Sequence, residues 1–328
     1  MVDAGGLSRS PPSTETPTAR AANPATIAPA SRGLGAGRSG TTTLAAVLRE
    51  HPEIFLSTPK EPTFFSEPFQ VTRSPIQYAK LFAGADEFAA VGEASHAYLS
   101  HPDAAQTLQA FFPDARFIVM FRNPADRALA MYSYMMENGY ELLPTFERAL
   151  AAEDRRFTSE RFARRCPHYF WNFMYFRSGL FGEQMNRYLE RFSREQFHFT
   201  TLYDLQRDPA RVLGGIETFL GVSPAPIGEL PRYGSSKGIR SIPLQYVERT
   251  VVRRLARHNV PLMNSARRRL IAWNRGNPPT MQPETRARLL GDYASDLARL
   301  TGLTGIDVLA VQAQDRQPDP PAPATTSS

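Results

Sequence analysis

Gly35, Gly37 and Gly40 crowd into one short stretch, and Thr41-Thr42-Thr43-Leu44 follow at once. Glycines at that density let the backbone turn tightly and approach a ligand closely. Leu44, Val47 and Leu48 then share one face, which predicts a helix over 41–50. A glycine turn that opens a helix aims the unpaired N–H groups and the positive end of the dipole at whatever precedes them, so its natural ligand is an anion. Ser39, Thr41 and Thr42 add hydroxyl donors and Arg38 adds a fixed charge. Each charge-assisted hydrogen bond there contributes roughly 1.5–3 kcal/mol.

The remaining pattern alternates between strand and helix. Strands are predicted over 54–57, 89–92, 116–121 (RFIVMF) and 197–202. Helices are predicted over 75–82, 102–111 with Pro102 in the first turn, from Pro124 onward, 178–192 and 209–220. Such alternation implies an α/β fold, a parallel sheet with helices on both faces. Beyond Val222 the pattern is helical, near 244–256, 263–272 and 284–301, and reads as an all-helical C-terminal flank. Residues 1–30 and 312–328 are rich in Ser, Thr, Pro and Ala and bury too little to offset ordering entropy; both are expected to be disordered around one body, 31–311.

Of the 328 residues 42% are hydrophobic and 21% charged, as in ordinary globular chains. The net charge of +6 suits an anionic ligand, but also simple solubility or a nucleic-acid partner. The basic runs at Arg253, Arg254, Arg267, Arg268 and Arg269 read as solvated helix faces, since no nucleic-acid-binding signature accompanies them. Lysine is scarce: Lys60, Lys80 and Lys237 stand against an arginine-rich background, which suggests places where a compact ammonium is needed. A single cysteine, Cys166, excludes an intrachain disulfide and fits a reducing compartment. The histidines show no metal-ligand spacing. No apolar run approaches 18 residues and the N-terminus lacks a signal-peptide pattern, so the expected location is cytoplasmic, with no integral membrane segment.

Gly35 and Gly40 have the spacing of the nucleotide triphosphatase loop G-x-x-x-x-G-K-[ST], but Thr41 stands where the lysine belongs. A loop that grips one phosphate without metal is the better reading. A P-loop NTPase or small-molecule kinase with a lost lysine remains the alternative; it would need an acidic residue after an apolar strand, whereas RFIVMF ends in Arg122-Asn123.

The stretch Gly37–Leu44 resembles the 5′-phosphate loop of sulfotransferases that use the donor PAPS (3′-phosphoadenosine 5′-phosphosulfate), G-x-[RK]-[ST]-G-T-T-x-L. That resemblance implies a P-loop-like α/β sheet and a PAPS co-substrate, with Gly37, Arg38, Ser39, Gly40, Thr41 and Thr42 on the donor and no metal. The family has a hydrophobic strand directly before the loop. Here Pro24 and Pro29 interrupt that region, so an irregular or missing first strand is expected.

Thr58-Pro59-Lys60-Glu61-Pro62-Thr63-Phe64-Phe65 resembles the K-E-P-x-F-F segment of many bacterial members and the E-x-x-F-F segment of heparan-type ones. The resemblance implies Glu61 as general base and Lys60 as the cation on the moving sulfuryl group. A positioned base typically contributes about 10²–10⁴-fold, and a cation stabilises the departing oxygen. In an extended segment neighbours point opposite ways, so adjacency alone does not bring the two together. His96, after a predicted strand end, is the second candidate base.

Arg122-Asn123-Pro124, with Arg127 and Tyr132, is similar to the family's R-[DN]-P-x-x-R-A-x-S-x-Y segment, whose Arg and Ser hold the 3′-phosphate. Arg122 ends a buried strand, where open α/β sheets bind ligands. Ala130 replaces the serine, a loss of about 1 kcal/mol of binding; Ser133, one helical turn on, is a substitute donor. Arg127 is expected to pair with a nearby carboxylate. Lys237 falls where family members close a basic loop on the 3′-phosphate, and Thr201-Leu202-Tyr203-Asp204-Leu205 is similar to the family's Y-E-D-L segment, with Tyr203 expected on the adenine or in a core or cap role. The expected acceptor is a small molecule or carbohydrate, and the sequence leaves carbohydrate, lipid and phenolic classes open; Tyr134, Tyr169, Phe170 and Trp171 are candidates for its pocket walls and equally for the core. The weak first strand and Ala130 also allow a catalytically impaired, nucleotide-binding member.

Overall fold

The computed structural model describes residues 31–315 apart from 36, 68, 227, 229, 232–237 and 253–260. Both terminal segments expected to be disordered, and Lys237, lie outside the described residues, except that the last helix runs over Val308–Asp315. It passes Gln312, where the tail was expected to start. Gln312 is buried and bonds the Asn123 amide and the Asp126 carboxylate, both at 2.7 Å.

Among the described residues the central sheet has five strands, ordered β2-β3-β1-β4-β5 and parallel throughout. They are β1 Ser31–Gly35, β2 Ile54–Leu56, β3 Ala90–Ala94, β4 Arg116–Phe121 and β5 Phe197–Thr201. The expected gap before the phosphate loop is filled: β1 sits in the middle, Ser31 paired with Gly92 on one side and Arg116 on the other. Pro24 and Pro29 both precede Ser31, so neither removes a donor from the ladder.

β4 shows why the sheet is covered on both faces. Phe117, Val119 and Phe121 enter one apolar cluster, while Ile118 and Met120 enter another, the alternation that a pleated strand imposes. The second cluster is closed by α1, Thr41–Arg49, through Leu44 and Leu48, and by the helix Pro209–Leu220 through Leu213 and Ile216. Full burial of each such side chain stabilises by roughly 1.5–3 kcal/mol. The larger cluster takes helices on the other face, among them Pro124–Glu137 (the helix of the R-N-P segment), Phe181–Leu189 and the long Pro283–Thr304.

Several expectations need adjustment. Pro102 lies outside the helix it was expected to open, which runs over Ala104–Phe111 after Asp103. The predicted helix 178–192 is a 3₁₀ turn, Arg177–Gly179, followed by Phe181–Leu189. The C-terminal flank contains, besides helices, a short antiparallel pair, Gly238–Ile239 with Arg275–Gly276.

Strand order reverses around β1: the chain builds β2 and β3 to one side of it, then β4 and β5 to the other. The loops leaving the carboxyl ends of all five strands therefore meet over one crevice, the usual ligand position of an open α/β sheet.

Candidate functional site

The loop after β1 carries the glycines. Gly40 is the N-cap of α1, at φ 93° in the left-handed region, and no side chain caps the helix. A Cβ there would stand 2.7 Å from Leu202 Cδ1, and one on Gly37 would stand 2.8 Å from His96 Cδ2 and 2.7 Å from Met131 Cε. Both glycines are required by space, and Gly40 by backbone shape as well. The first-turn N–H groups are left for an anion. Ser39 is fully buried and its Oγ has no hydrogen-bond partner.

Arg122 leaves the end of β4 and donates from Nη1 to the Arg38 carbonyl at 3.0 Å. Next to it, Asn123 caps the following helix, its Oδ1 accepting from Ala125 N at 3.0 Å. The Arg38 guanidinium lies 5.3 Å from the Tyr134 ring centre. Burial, then repulsion from Arg122, push it below the ordinary arginine range. The repulsion that Arg122 exerts on Arg38 favours a bound anion, which relieves it.

The loop after β2 brings in Lys60 and Glu61. Contrary to an extended reading, Glu61 has φ 65° and Thr63 φ 49°, conformations that cost about 1–3 kcal/mol each. Neighbouring bonds hold them there: Glu61 N donates to Ala94 O at 3.1 Å and Thr63 N to Ser95 Oγ at 3.2 Å. Ser95 in turn donates to the buried Glu93 at 2.7 Å. Phe65, packed against Tyr78 and Tyr98, anchors the segment. The twist at Glu61 turns its side chain onto its neighbour, and the Lys60 ammonium donates to Glu61 Oε1. Glu61 Oε2 accepts from the His96 backbone N–H and faces His96 Nδ1, each at 2.8 Å. Burial alone would raise the Glu61 carboxyl; His96 and then Lys60 outweigh it and hold it down to about 2.

All of this opens on one cleft of about 1490 Å³, lined by Gly37, Arg38, Gly40, Thr41, Thr42, Lys60, Glu61, His96, Arg122 and Tyr134. Of the loop residues expected on the donor, Gly37 to Thr42, Ser39 is the one that does not line it. The cleft wall also includes Asn172, Leu202, Gln206 and Pro231, which sequence reasoning missed. Asn172 reaches His96 across 76 positions of chain, and no local pattern marks it.

A model of the sulfotransferase domain matches residues 34–245. The chain belongs to the sulfotransferase domain family. A sulfotransferase from Alicyclobacillus acidocaldarius shares the fold, with a TM-score of 0.65 and 29% identity over 87% of this chain and 98% of that one. Among curated relatives, human heparan sulfate glucosamine 3-O-sulfotransferase 6 is 28% identical over 189 residues, 58% of this chain and 51% of the relative. The bifunctional heparan sulfate N-deacetylase/N-sulfotransferase 1 of Caenorhabditis briggsae is 22% identical over 217 residues, 62% of this chain and 24% of the relative. The chain thus spans from about a quarter to about a half of the length of these curated relatives.

Within this sulfotransferase-family chain some sequence expectations change. Ser133 does not stand in for the serine lost at Ala130: its hydroxyl donates to Leu129 O at 2.8 Å within the helix, and neither residue lines the cleft. Arg127 is fully buried and donates to the Tyr175 carbonyl, not to a carboxylate. Tyr203 is buried with its hydroxyl accepting from Asn123 N at 3.1 Å, a structural tie beneath Arg122. Of the aromatic residues considered for an acceptor wall, Tyr134 lines the cleft, whereas Tyr169 is buried and bonds Ala97 O at 2.9 Å. Phe170 and Trp171 pack against the core. No helix among the described residues is long and apolar enough to cross a membrane.

Proposed function

We propose that this protein is a PAPS-dependent sulfotransferase that moves a sulfuryl group to a hydroxyl or amine of a small-molecule or carbohydrate acceptor. The observation that carries the reading is the shared cleft: the glycine loop, Arg122, Lys60, Glu61 and His96 all face one space. The residues present fit the donor. Two glycines have no room for a Cβ, a buried Ser39 hydroxyl has no protein partner, and Arg38 and Arg122 both line the cleft, the second bonded to the carbonyl of the first.

In this reading Gly37 to Thr42 receive the 5′-phosphate on loop and helix N–H groups, while Arg122 receives the 3′-phosphate with its planar fork. The donor supplies an already activated sulfuryl group. Lys60 stabilises the charge that develops on the leaving oxygen. Glu61 takes the acceptor proton as general base.

A carboxylate held at about 2 is a weak base. Lys60 is one of the two cations that hold it there. Transfer of the Lys60 ammonium from Glu61 to the donor strips one cation from the carboxylate and raises its basicity, so the base is armed when the donor is in place. We also read residues 31 to 311 as the sulfotransferase unit, its last helix running on to Asp315, and place it in a reducing, cytoplasmic compartment on the strength of its single cysteine.

The test is sulfate transfer from radiolabelled PAPS to a panel of hydroxyl and amine acceptors, without added metal. Transfer to at least one acceptor is expected. Mg²⁺-dependent ATP hydrolysis with no transfer would favour the NTPase reading instead.

A further inference from the structure

The His96 ring is enclosed by three parts of the chain. Nδ1 lies 2.8 Å from Glu61 Oε2 on the loop after β2, with Lys60 on the other carboxylate oxygen. Cδ2 faces Gly37 of the phosphate loop. Nε2 lies 3.3 Å from Asn172 Oδ1, in the 3₁₀ turn Phe170–Phe173, and the Tyr169 ring approaches edge-on at 6.3 Å. Both ring nitrogens therefore face oxygen acceptors. A neutral imidazole donates from one nitrogen only; the imidazolium donates from both.

An amide can turn over and present nitrogen instead, so the arrangement depends on what holds Asn172. Its Nδ2 is 3.1 Å from His168 Nδ1. The His168 ring is packed against Tyr140 at 4.4 Å and Phe69 at 5.3 Å. Burial above all pushes His168 down to about 4, so it is neutral near pH 7. A neutral His168 whose Nδ1 carries the lone pair accepts from Asn172 Nδ2, which leaves Oδ1 for His96.

We infer that Asn172, oriented by His168, is a positioning residue that keeps His96 as an imidazolium between Glu61 and the phosphate loop. The consequence for catalysis rests on the sulfotransferase reading: an imidazolium cannot take the acceptor proton, so that task falls to Glu61, and His96 supplies positive charge where the transferring group gains negative charge.

The experiment is nitrogen NMR of the full chain carrying ¹⁵N-labelled histidine, with His96 assigned by loss of its signals in His96→Gln. At about pH 7 the parent is expected to show both His96 ring nitrogens protonated. Asn172→Leu removes the acceptor and is expected to lose one of those N–H signals, giving the neutral tautomer. Asn172→Asp keeps an acceptor that cannot turn over, so His96 stays doubly protonated even when combined with His168→Phe. His168→Phe alone releases Asn172 and shifts His96 toward the neutral form. A parent whose His96 is singly protonated overturns the inference, as does Asn172→Leu with the parent's spectrum. Should Asn172→Leu fail to fold, the parent and His168→Phe spectra decide. The readout uses neither donor nor acceptor, so a failure to bind nucleotide strikes the sulfotransferase reading without touching this result.

Discussion

Arg122 holds the carbonyl of Arg38 through Nη1 at 3.0 Å, across 84 positions of chain. This bond joins the end of β4 to the phosphate loop after β1, two neighbouring strands in the sheet. The two cationic elements are thereby locked at a fixed separation before any ligand arrives, which is what a ligand with two phosphates at opposite ends requires.

On the proposed reading Arg122→Ala removes the 3′-phosphate fork together with the tie on the loop. With roughly 1.5–3 kcal/mol per charge-assisted bond, affinity for adenosine 3′,5′-bisphosphate is expected to fall about 10- to 100-fold. Arg122→Lys keeps the charge without the fork, and its affinity should recover only in part. Equilibrium binding of the two variants checks this.

Glu61→Gln preserves shape but cannot take a proton, and its amide nitrogen cannot accept from Lys60 or His96 as a carboxylate oxygen does. Its turnover should fall at least ~10²-fold with nucleotide affinity little changed. Steady-state kinetics beside a binding titration separates the two quantities; unchanged turnover would place the base elsewhere.

Lys60→Ala removes one of the two cations that lower Glu61. The Glu61 carboxyl then rises, so the acid limb of the kcat/KM profile moves to higher pH, from near 2 toward the ordinary carboxylate value of 4.5. On the proposed role of Lys60, turnover is expected to fall at the same time, because the leaving oxygen would lose its cation. A pH profile of kcat/KM for parent and variant tests both.

Stability against pH follows Glu61 and His168. Glu61 has a folded value of about 2 against 4.5 unfolded, so its contribution is complete above 4.5 and is lost as pH falls toward 2. His168 drops from 6.5 to about 4, so the folded state resists its protonation, and stability declines as pH falls from 6.5 toward 4. Urea midpoints should show His168→Phe flattening the upper window and Glu61→Gln the lower one.

What the sequence carried was local. Glycine spacing, the apolar run of β4 and the Arg122-Asn123-Pro124 turn each encode an element and its end within a few residues. β1 was not legible because Ser31, Arg32, Gly33, Leu34 and Gly35 offer one large apolar side chain; the strand owes its existence to the ladders on both sides. The meeting of Lys60, Glu61 and His96 was half legible. Their residue types pointed to proton transfer, but the left-handed turn at Glu61 that makes them touch comes from tertiary bonds to Ala94 and Ser95. Asn172 was invisible, since a single asparagine in an aromatic stretch carries no spacing signal.

The most direct measurement is isothermal calorimetry with adenosine 3′,5′-bisphosphate, run on the parent and on Arg122→Ala without added metal. The expected result is stoichiometric binding to the parent, weakened in the variant. No heat from the parent, or equal affinity in both, would contradict a cleft whose glycine loop and Arg122 grip the two ends of one nucleotide.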